Sequence, residues 1–135
     1  PRRRPQSRRA EGPVWRPEEA AAMKRGEIWI GNLNSNSGAQ AAKIRPVLIV
    51  QADFLTDQGE PTMIVLPLTT QVRAAKEPLH VTIRARDRLA QDCQVMPEQP
   101  RTVDRNRLRD GPLTRLNEGE MRAVEKSLMA VLGLM

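Results

Sequence analysis

Apolar residues form several short runs along the chain, some continuous and some alternating with polar residues, and both patterns are typical of β-strands. The runs that predict strands are GEIWIGNL (26–33), IRPVLIVQAD (44–53), TMIVLPLTT (62–70), LHVTI (79–83) and DCQVMPEQPRTV (92–103). Pro97 and Pro100 interrupt the last run, which therefore predicts one or two short strands. Pro46 has no N–H to donate, so we expect it near the start of its strand or at a sheet edge.

The alternation also predicts which side chains are buried. In the first strand, Ile28 and Ile30 share one face and Trp29 lies on the other. In LHVTI, the pattern points Leu79 into the core and His80 outward, so we expect the only histidine of the chain to be a solvated surface residue.

The C-terminal segment changes to helical spacing. Asn117 is a good N-cap, Glu120 completes a variant of the capping box, and Gly133 is placed to end the helix. The apolar residues at helical spacing are Met121, Val124, Leu128, Val131 and Leu132. Strands followed by one helix favour a small, strongly bent antiparallel β domain with the helix as a lid.

The chain has 135 residues and a net charge of +6, which favours a single domain with an anionic partner such as nucleic acid. Residues 1–22 are rich in Arg and Pro and predict a disordered extension. Met23 opens MKRGEIW as a natural start would, so we expect residues 23–135 to form the domain. For residues 1–22, two interpretations stay open, a non-native addition or a nucleic-acid-binding arm.

Composition excludes several classes of protein. One cysteine, Cys93, permits no intrachain disulfide, and no apolar run is long enough for a membrane span, so we expect a cytoplasmic protein with no membrane partner. We expect the Cys93 thiol to be half-buried. Carboxylates are dispersed and no phosphate-binding glycine motif occurs, so we expect no metal and no cofactor.

Arginine and hydroxyl groups remain as candidate chemistry. Arg45, held beside Pro46 at the mouth of the second strand, presents a planar fork of donors suited to phosphate. Thr69 ends the third strand, where its hydroxyl can face the same cleft. The EQPRT segment offers an acceptor, an amide, a guanidinium and a hydroxyl that suit RNA base edges, on Glu98, Gln99, Arg101 and Thr102.

Five blocks in order, MKRGEIWIGNL, KIRPVLIVQAD, IVLPLTT, LHVTI and EQPRTVDRNRL, resemble the MazF/PemK family of toxin ribonucleases. The resemblance implies an SH3-like β barrel with a C-terminal helix that acts as a homodimer. It also implies a toxin that cleaves single-stranded RNA at specific sequences without metal, by attack of the 2′-OH, and that a MazE-like cognate antitoxin neutralises.

The resemblance also assigns residues. Arg45 and Thr69 match the catalytic arginine and threonine, and the loop 34–42 matches a mobile segment near RNA. The residues assigned to RNA binding are Lys43, Gln40, Thr70, Glu98, Gln99, Arg101 and Thr102. The loop lacks a glutamate that many members carry, and Pro100 replaces an aliphatic strand residue.

Two alternatives stay open at this stage. One is a protein-binding toxin on the same fold, like the CcdB gyrase poisons, although those depend on a C-terminal tryptophan and this chain has none after Trp29. The other is an RNA-binding member that has lost its catalytic activity.

Overall fold

An antiparallel sheet dominates the computed structural model, which describes residues 23–34 and 43–135. The strands of the described residues are β1 (Glu27–Asn32), β2 (Ile44–Ile49), β3 (Thr62–Thr69), β4 (Val81–Ile83), β5 (Cys93–Val95), β6 (Arg101–Asp104) and β7 (Leu108–Arg115). A short helix, α1 (Asp53–Asp57), follows β2, and a long helix, α2 (Glu118–Val131), follows β7. The predicted mainly β fold with a C-terminal helix is confirmed.

The strand order is β4-β5-β3-β2-β1-β7, and β6 pairs with β3 beside β5. One edge of β3 therefore carries two short strands in succession, with β5 opposite its end and β6 opposite its start. The turn between β5 and β6 contains Pro97 and Pro100, as the interrupted run predicted.

Each face of the bent sheet covers an apolar cluster. The first core, under α2, includes Ile28, Leu48, Leu66, Leu68, Ile83, Val95 and Val124. The second core includes Trp29, Leu33, Val47, Ile49, Met63, Val65 and Val103. Because side chains alternate along a strand, odd-numbered residues of β2, β3 and β6 face the second core. The predicted separation of Ile28 from Trp29 is confirmed.

Helix α2 begins as predicted, with both hydrogen bonds of a capping box between Asn117 and Glu120. Val124 is fully buried in the first core, and Leu128 packs against it. Val131 and Leu132 were predicted to continue this buried stripe, but they are 38% and 54% exposed, so burial by the helix ends near Leu128.

The prediction for residues 79–83 was wrong at its first two positions. Strand β4 begins only at Val81, and the N–H of His80 donates to the carbonyl of Lys76 at 2.9 Å, as in a turn. The two-residue period does not apply outside the strand. Leu79 is consequently 38% exposed and His80 only 6% exposed.

Two further boundaries differ from the sequence pattern. β2 stops at Ile49, short of the predicted end at Asp53, which is the first residue of α1. Strand β7 was missed, since Gly111 and Pro112 interrupt its sequence and charged residues surround them. The chain passes these residues in a β-bulge opposite β1, where the register shifts between Ile28 and Ile30.

Candidate active site

Arg45 is the second residue of β2, and its partner across the β1–β2 ladder is Gly31. It shares a face with Val47 and Ile49, so its side chain lies at the rim of the second core. The side chain is half-buried. Among the described residues, no hydrogen bond or ion pair occupies the guanidinium, which leaves its donors available to a ligand.

Thr69 is brought to the same rim by the β2–β3 register. Val47 pairs with Pro67, and continuing this register by two residues sets Arg45 opposite Thr69. The ladder stops at Val47–Pro67, and the next residue of β2 is Pro46, which has no N–H to donate. The two predicted catalytic residues therefore lie where the ladder between these strands ends.

The same line of residues continues across the sheet. Thr69 pairs with Gln94 of β5, and Gln94 pairs with Thr82 of β4. Cross-strand partners point to one face, so Arg45, Thr69, Gln94 and Thr82 form what we call the polar row. A cation, two hydroxyls and an amide thus border one apolar core.

The hydroxyl of Thr69 is oriented by the turn that follows it. Its Oγ1 accepts the N–H of Gln71 at 3.1 Å. Because that bond uses the oxygen as an acceptor, the O–H remains able to donate to a ligand. Thr70 is exposed beside it.

The residues that flank the predicted 34–42 loop form a closed base. The N–H of Leu33 donates to the carbonyl of Lys43 at 2.8 Å, and the N–H of Lys43 donates to Oδ1 of Asn34 at 2.9 Å. From the other side, Arg101 donates to the Leu33 carbonyl at 3.0 Å and Arg107 to the Asn34 carbonyl at 2.8 Å. Gln40 and the rest of residues 35–42 lie outside the described residues.

These arginines border a polar cavity of about 220 Å³. Its lining includes Asn32, Asn34, Arg101, Thr102, Asp104 and Arg107. Arg101 and Thr102 were predicted to be site residues, whereas Arg107 and the two asparagines were missed. Arg107 donates to the backbone carbonyls of Asn32 and Asn34 at the end of β1, and no sequence motif marks such a contact.

Glu98 and Gln99 lie in the turn between β5 and β6. Gln99 is exposed, and its N–H donates to the carbonyl of Met96 at 3.1 Å. Oε2 of Glu98 lies 2.8 Å from Nε2 of His80. Burial alone raises the pKa of Glu98, but the bonds from His80 and from its own N–H, with the charges of His80 and Lys76, lower it below the ordinary value.

His80 and Gln94 were not predicted as site residues. His80 was expected at the surface, yet it is buried between Glu98 and the polar row. A polar residue inside the short apolar run CQVM was the one signal that could have drawn attention to Gln94, which is 0% exposed.

Cys93 was expected to be half-buried, but it is 1% exposed within the first core. Burial, and then the charge of Asp92, raise the pKa of its thiol. As a member of the first core, Cys93 lies on the opposite face of the sheet from the polar row. Within the described ranges, no three side chains of the His, Cys, Asp and Glu types are grouped as a metal site requires.

A comparison with protein families places this geometry in context. Residues 24–132 match the model of the PemK-like, MazF-like toxins of type II toxin–antitoxin systems. The chain belongs to this family. That match confirms the family predicted from the ordered sequence blocks.

Relatives agree with the family match. Endoribonuclease MazF of Staphylococcus saprophyticus is 36% identical over 113 residues, which cover 83% of this chain and 92% of that protein. A mycobacterial endoribonuclease solved with its cognate antitoxin has a TM-score of 0.65 at 23% identity, covering 84% of this chain and 97% of that one. MazF of Deinococcus radiodurans, solved with MazE, has a TM-score of 0.67 at 19% identity, with coverage of 84% and 97%.

The similarity to solved MazF structures supports the fold described above, a single sheet followed by a C-terminal helix. Over the part of the chain that the structure describes, no helix combines the length and apolar character that crossing a membrane requires.

Proposed function

We propose that this protein is the toxin of a toxin–antitoxin pair and acts as an endoribonuclease on single-stranded RNA, with Arg45 and Thr69 as catalytic residues. The observation that carries the proposal is the polar row, in which a guanidinium without a partner among the described residues and an oriented hydroxyl border one rim. The family match and the Staphylococcus saprophyticus relative, named an endoribonuclease, support this function over a gyrase poison.

The proposed reaction uses the nucleophile of the RNA itself. The 2′-oxygen attacks the adjacent phosphorus and the bond from phosphorus to the 5′-oxygen breaks, which leaves a 2′,3′-cyclic phosphate and a 5′-hydroxyl. The proton lost from the 2′-hydroxyl is balanced by one gained at the leaving oxygen. DNA lacks the 2′-hydroxyl and is not cleaved.

Arg45 stabilises the negative charge that develops on the phosphoryl oxygens. Its fork can donate two parallel hydrogen bonds to them, and such bonds accelerate the step only as far as they strengthen in the transition state. A fixed positive charge at this position allows the reaction to proceed without a metal ion.

Thr69 orients the same phosphate. Because its oxygen accepts the Gln71 N–H, its O–H points away from that bond and can donate to a phosphoryl oxygen. We assign binding of the flanking nucleotides to Lys43, Thr70, Glu98, Gln99, Arg101 and Thr102, with Gln40 from the loop.

The proposed partners follow from the family. Deinococcus radiodurans MazF has been solved with MazE, and we propose that a MazE-like antitoxin neutralises this chain as well. We also propose that the toxin is a homodimer and acts in the cytoplasm, where its RNA substrate lies.

Cleavage of a mixed-sequence RNA by the purified protein tests the proposal. The assay includes a chelator and DNA of the same sequence, and the cut ends are mapped. We expect cleavage in chelator, intact DNA and cyclic phosphate ends. We expect Arg45→Ala to slow cleavage by about 10²–10³.

Matched controls separate chemistry from folding. Thr62 begins β3 where Thr69 ends it, so Thr62→Ala should retain activity that Thr69→Ala loses. Arg122 lies on α2 with its side chain 71% exposed, and Arg122→Ala should cleave as the parent does. Folded Arg45→Ala and Thr69→Ala variants with parental rates would overturn the site, and loss of cleavage in chelator would overturn the metal-free reaction.

A further inference from the structure

His80 lies between two hydrogen-bond acceptors. Its Nε2 is 2.8 Å from Oε2 of Glu98, and its Nδ1 is 3.3 Å from Oε1 of Gln94. The ring is 6% exposed, so these two contacts hold it in place. Glu98 and Gln94 are thus joined through one side chain.

The backbone of Arg73 determines which end of the Gln94 amide faces the ring. The Arg73 N–H donates to Oε1 of Gln94 at 3.3 Å, and Nε2 of Gln94 donates to the Arg73 carbonyl at 3.0 Å. The same Nε2 also donates to Oγ1 of Thr82 at 3.1 Å. Rotating the amide by 180° would place donor against donor and acceptor against acceptor, so Oε1 is the atom beside Nδ1.

Glu98 lies in a turn, and its side chain is 33% exposed. The hydrogen bond from His80 is among the causes that lower the pKa of Glu98, which is therefore a carboxylate at neutral pH. A charged acceptor makes a stronger hydrogen bond than a neutral one, so the contact with the ring can hold this side chain in one position.

We propose that His80 serves as a positioning residue, which fixes Glu98 and ties the RNA-binding turn to the polar row. Gln94 completes the link, because it bonds to the ring through its side chain and pairs with Thr69 through its backbone. This role rests on the proposed function, since Glu98 is positioned for RNA.

The hydrogen-bonded pair of His80 and Glu98 has charged groups from neighbouring elements close to it. Glu98 comes from the turn after β5, and Lys76, whose charge acts on Glu98, comes from the segment before β4. The Glu77 carboxylate accepts the hydroxyl of Thr82, which in turn accepts from Gln94. Gln94 and Thr82 are neutral, so Glu98 is the anion in direct contact with the ring.

The positioning role is tested by steady-state cleavage of a short RNA that contains the mapped site. His80→Gln keeps a donor but lacks the rigid ring that places one nitrogen against each partner, so we expect KM to rise about tenfold and kcat to change less than about twofold.

Ser127→Ala is the matched control. The Ser127 hydroxyl donates to the Pro78 carbonyl at 3.1 Å, so this change loosens the same segment without touching the ring. A rise in KM of equal size in Ser127→Ala, or a parental KM in His80→Gln, would overturn the positioning role. Failure of the parent to cleave RNA would defeat the proposed function and that role together, whereas a parental KM for His80→Gln in an active protein would defeat the role alone.

Discussion

Arg45 and Thr69 lie at the adjoining ends of two antiparallel strands and point to the same face of the sheet. The register that pairs Val47 with Pro67 brings them opposite each other although they are far apart in sequence. This position is consistent with a permanent positive charge on Arg45 at the start of β2. Arg45 precedes the fully buried part of β2, and among the described residues no carboxylate neutralises it.

The shape of the Arg45 side chain should matter as well as its charge. Lysine keeps the charge but replaces a planar fork with a single ammonium group, so it cannot donate two parallel bonds to one phosphate. We expect Arg45→Lys to cleave RNA about 10- to 100-fold more slowly than the parent. Single-turnover kinetics on the mapped RNA would measure this, with Arg122→Lys as the control, and a parental rate in Arg45→Lys would contradict it.

The hydroxyl of Thr69, rather than its methyl group, should carry its role. Thr69→Ser keeps the oxygen that accepts the Gln71 N–H, whereas Thr69→Val keeps the shape and loses the oxygen. We expect the serine variant to cleave within about threefold of the parent and the valine variant at least about tenfold more slowly. A valine variant that cleaves as fast as the serine variant would show that the hydroxyl is not required.

The ion pair between Arg86 and Glu120 should contribute a pH-dependent part of the stability. Two nitrogens of Arg86 donate to the two carboxylate oxygens of Glu120, each at 2.7 Å. The Arg86 bond is the main cause that lowers the pKa of Glu120 below its ordinary 4.5. A carboxyl group whose pKa is lower in the folded than in the unfolded protein stabilises the fold at pH values above its unfolded-state pKa. This contribution is lost as the pH falls through the pKa of the folded state.

Glu120→Gln should therefore flatten the acid limb of the stability curve. Glutamine preserves the capping box, so the charge is the main change, and we expect a loss of about 1 kcal/mol at pH 7 that shrinks below about pH 4.5. Urea unfolding between pH 3 and 8 would measure it. Glu118→Gln is the control, since that side chain is 90% exposed, and an equal effect there would refute the assignment.

Close packing of Gly111 against Trp29 should make β7 intolerant of a side chain. A Cβ on Gly111 would lie 2.1 Å from Cδ2 of the indole, and Trp29 is itself buried in the second core. We expect Gly111→Ala to lower the free energy of unfolding by about 1–3 kcal/mol, measured by urea unfolding. Gly119→Ala adds a Cβ no closer than 3.5 Å to Asn117 and should be neutral or stabilising by up to about 1 kcal/mol.

Features that depend on neighbours in sequence were predicted well. The capping box of Asn117 and Glu120 involves residues three apart, and the first three predicted strands follow from short apolar or alternating runs of a few residues. His80 was placed wrongly because its burial depends on a turn before β4 and on partners from β5 and the turn that follows it. Strand β7 was missed because its pairing to β1, rather than its composition, makes it a strand.

By itself, the sequence determined the strands that follow a clear period, the capped helix, the cation beside Pro46 and the family. The tertiary structure decided which polar groups meet, bringing Thr69, Gln94 and His80 to one rim and closing the loop base with Arg101 and Arg107. The physical reason is that periodicity and caps arise from local backbone geometry. Register between distant strands and the burial of a polar side chain are set by the packing of the whole sheet.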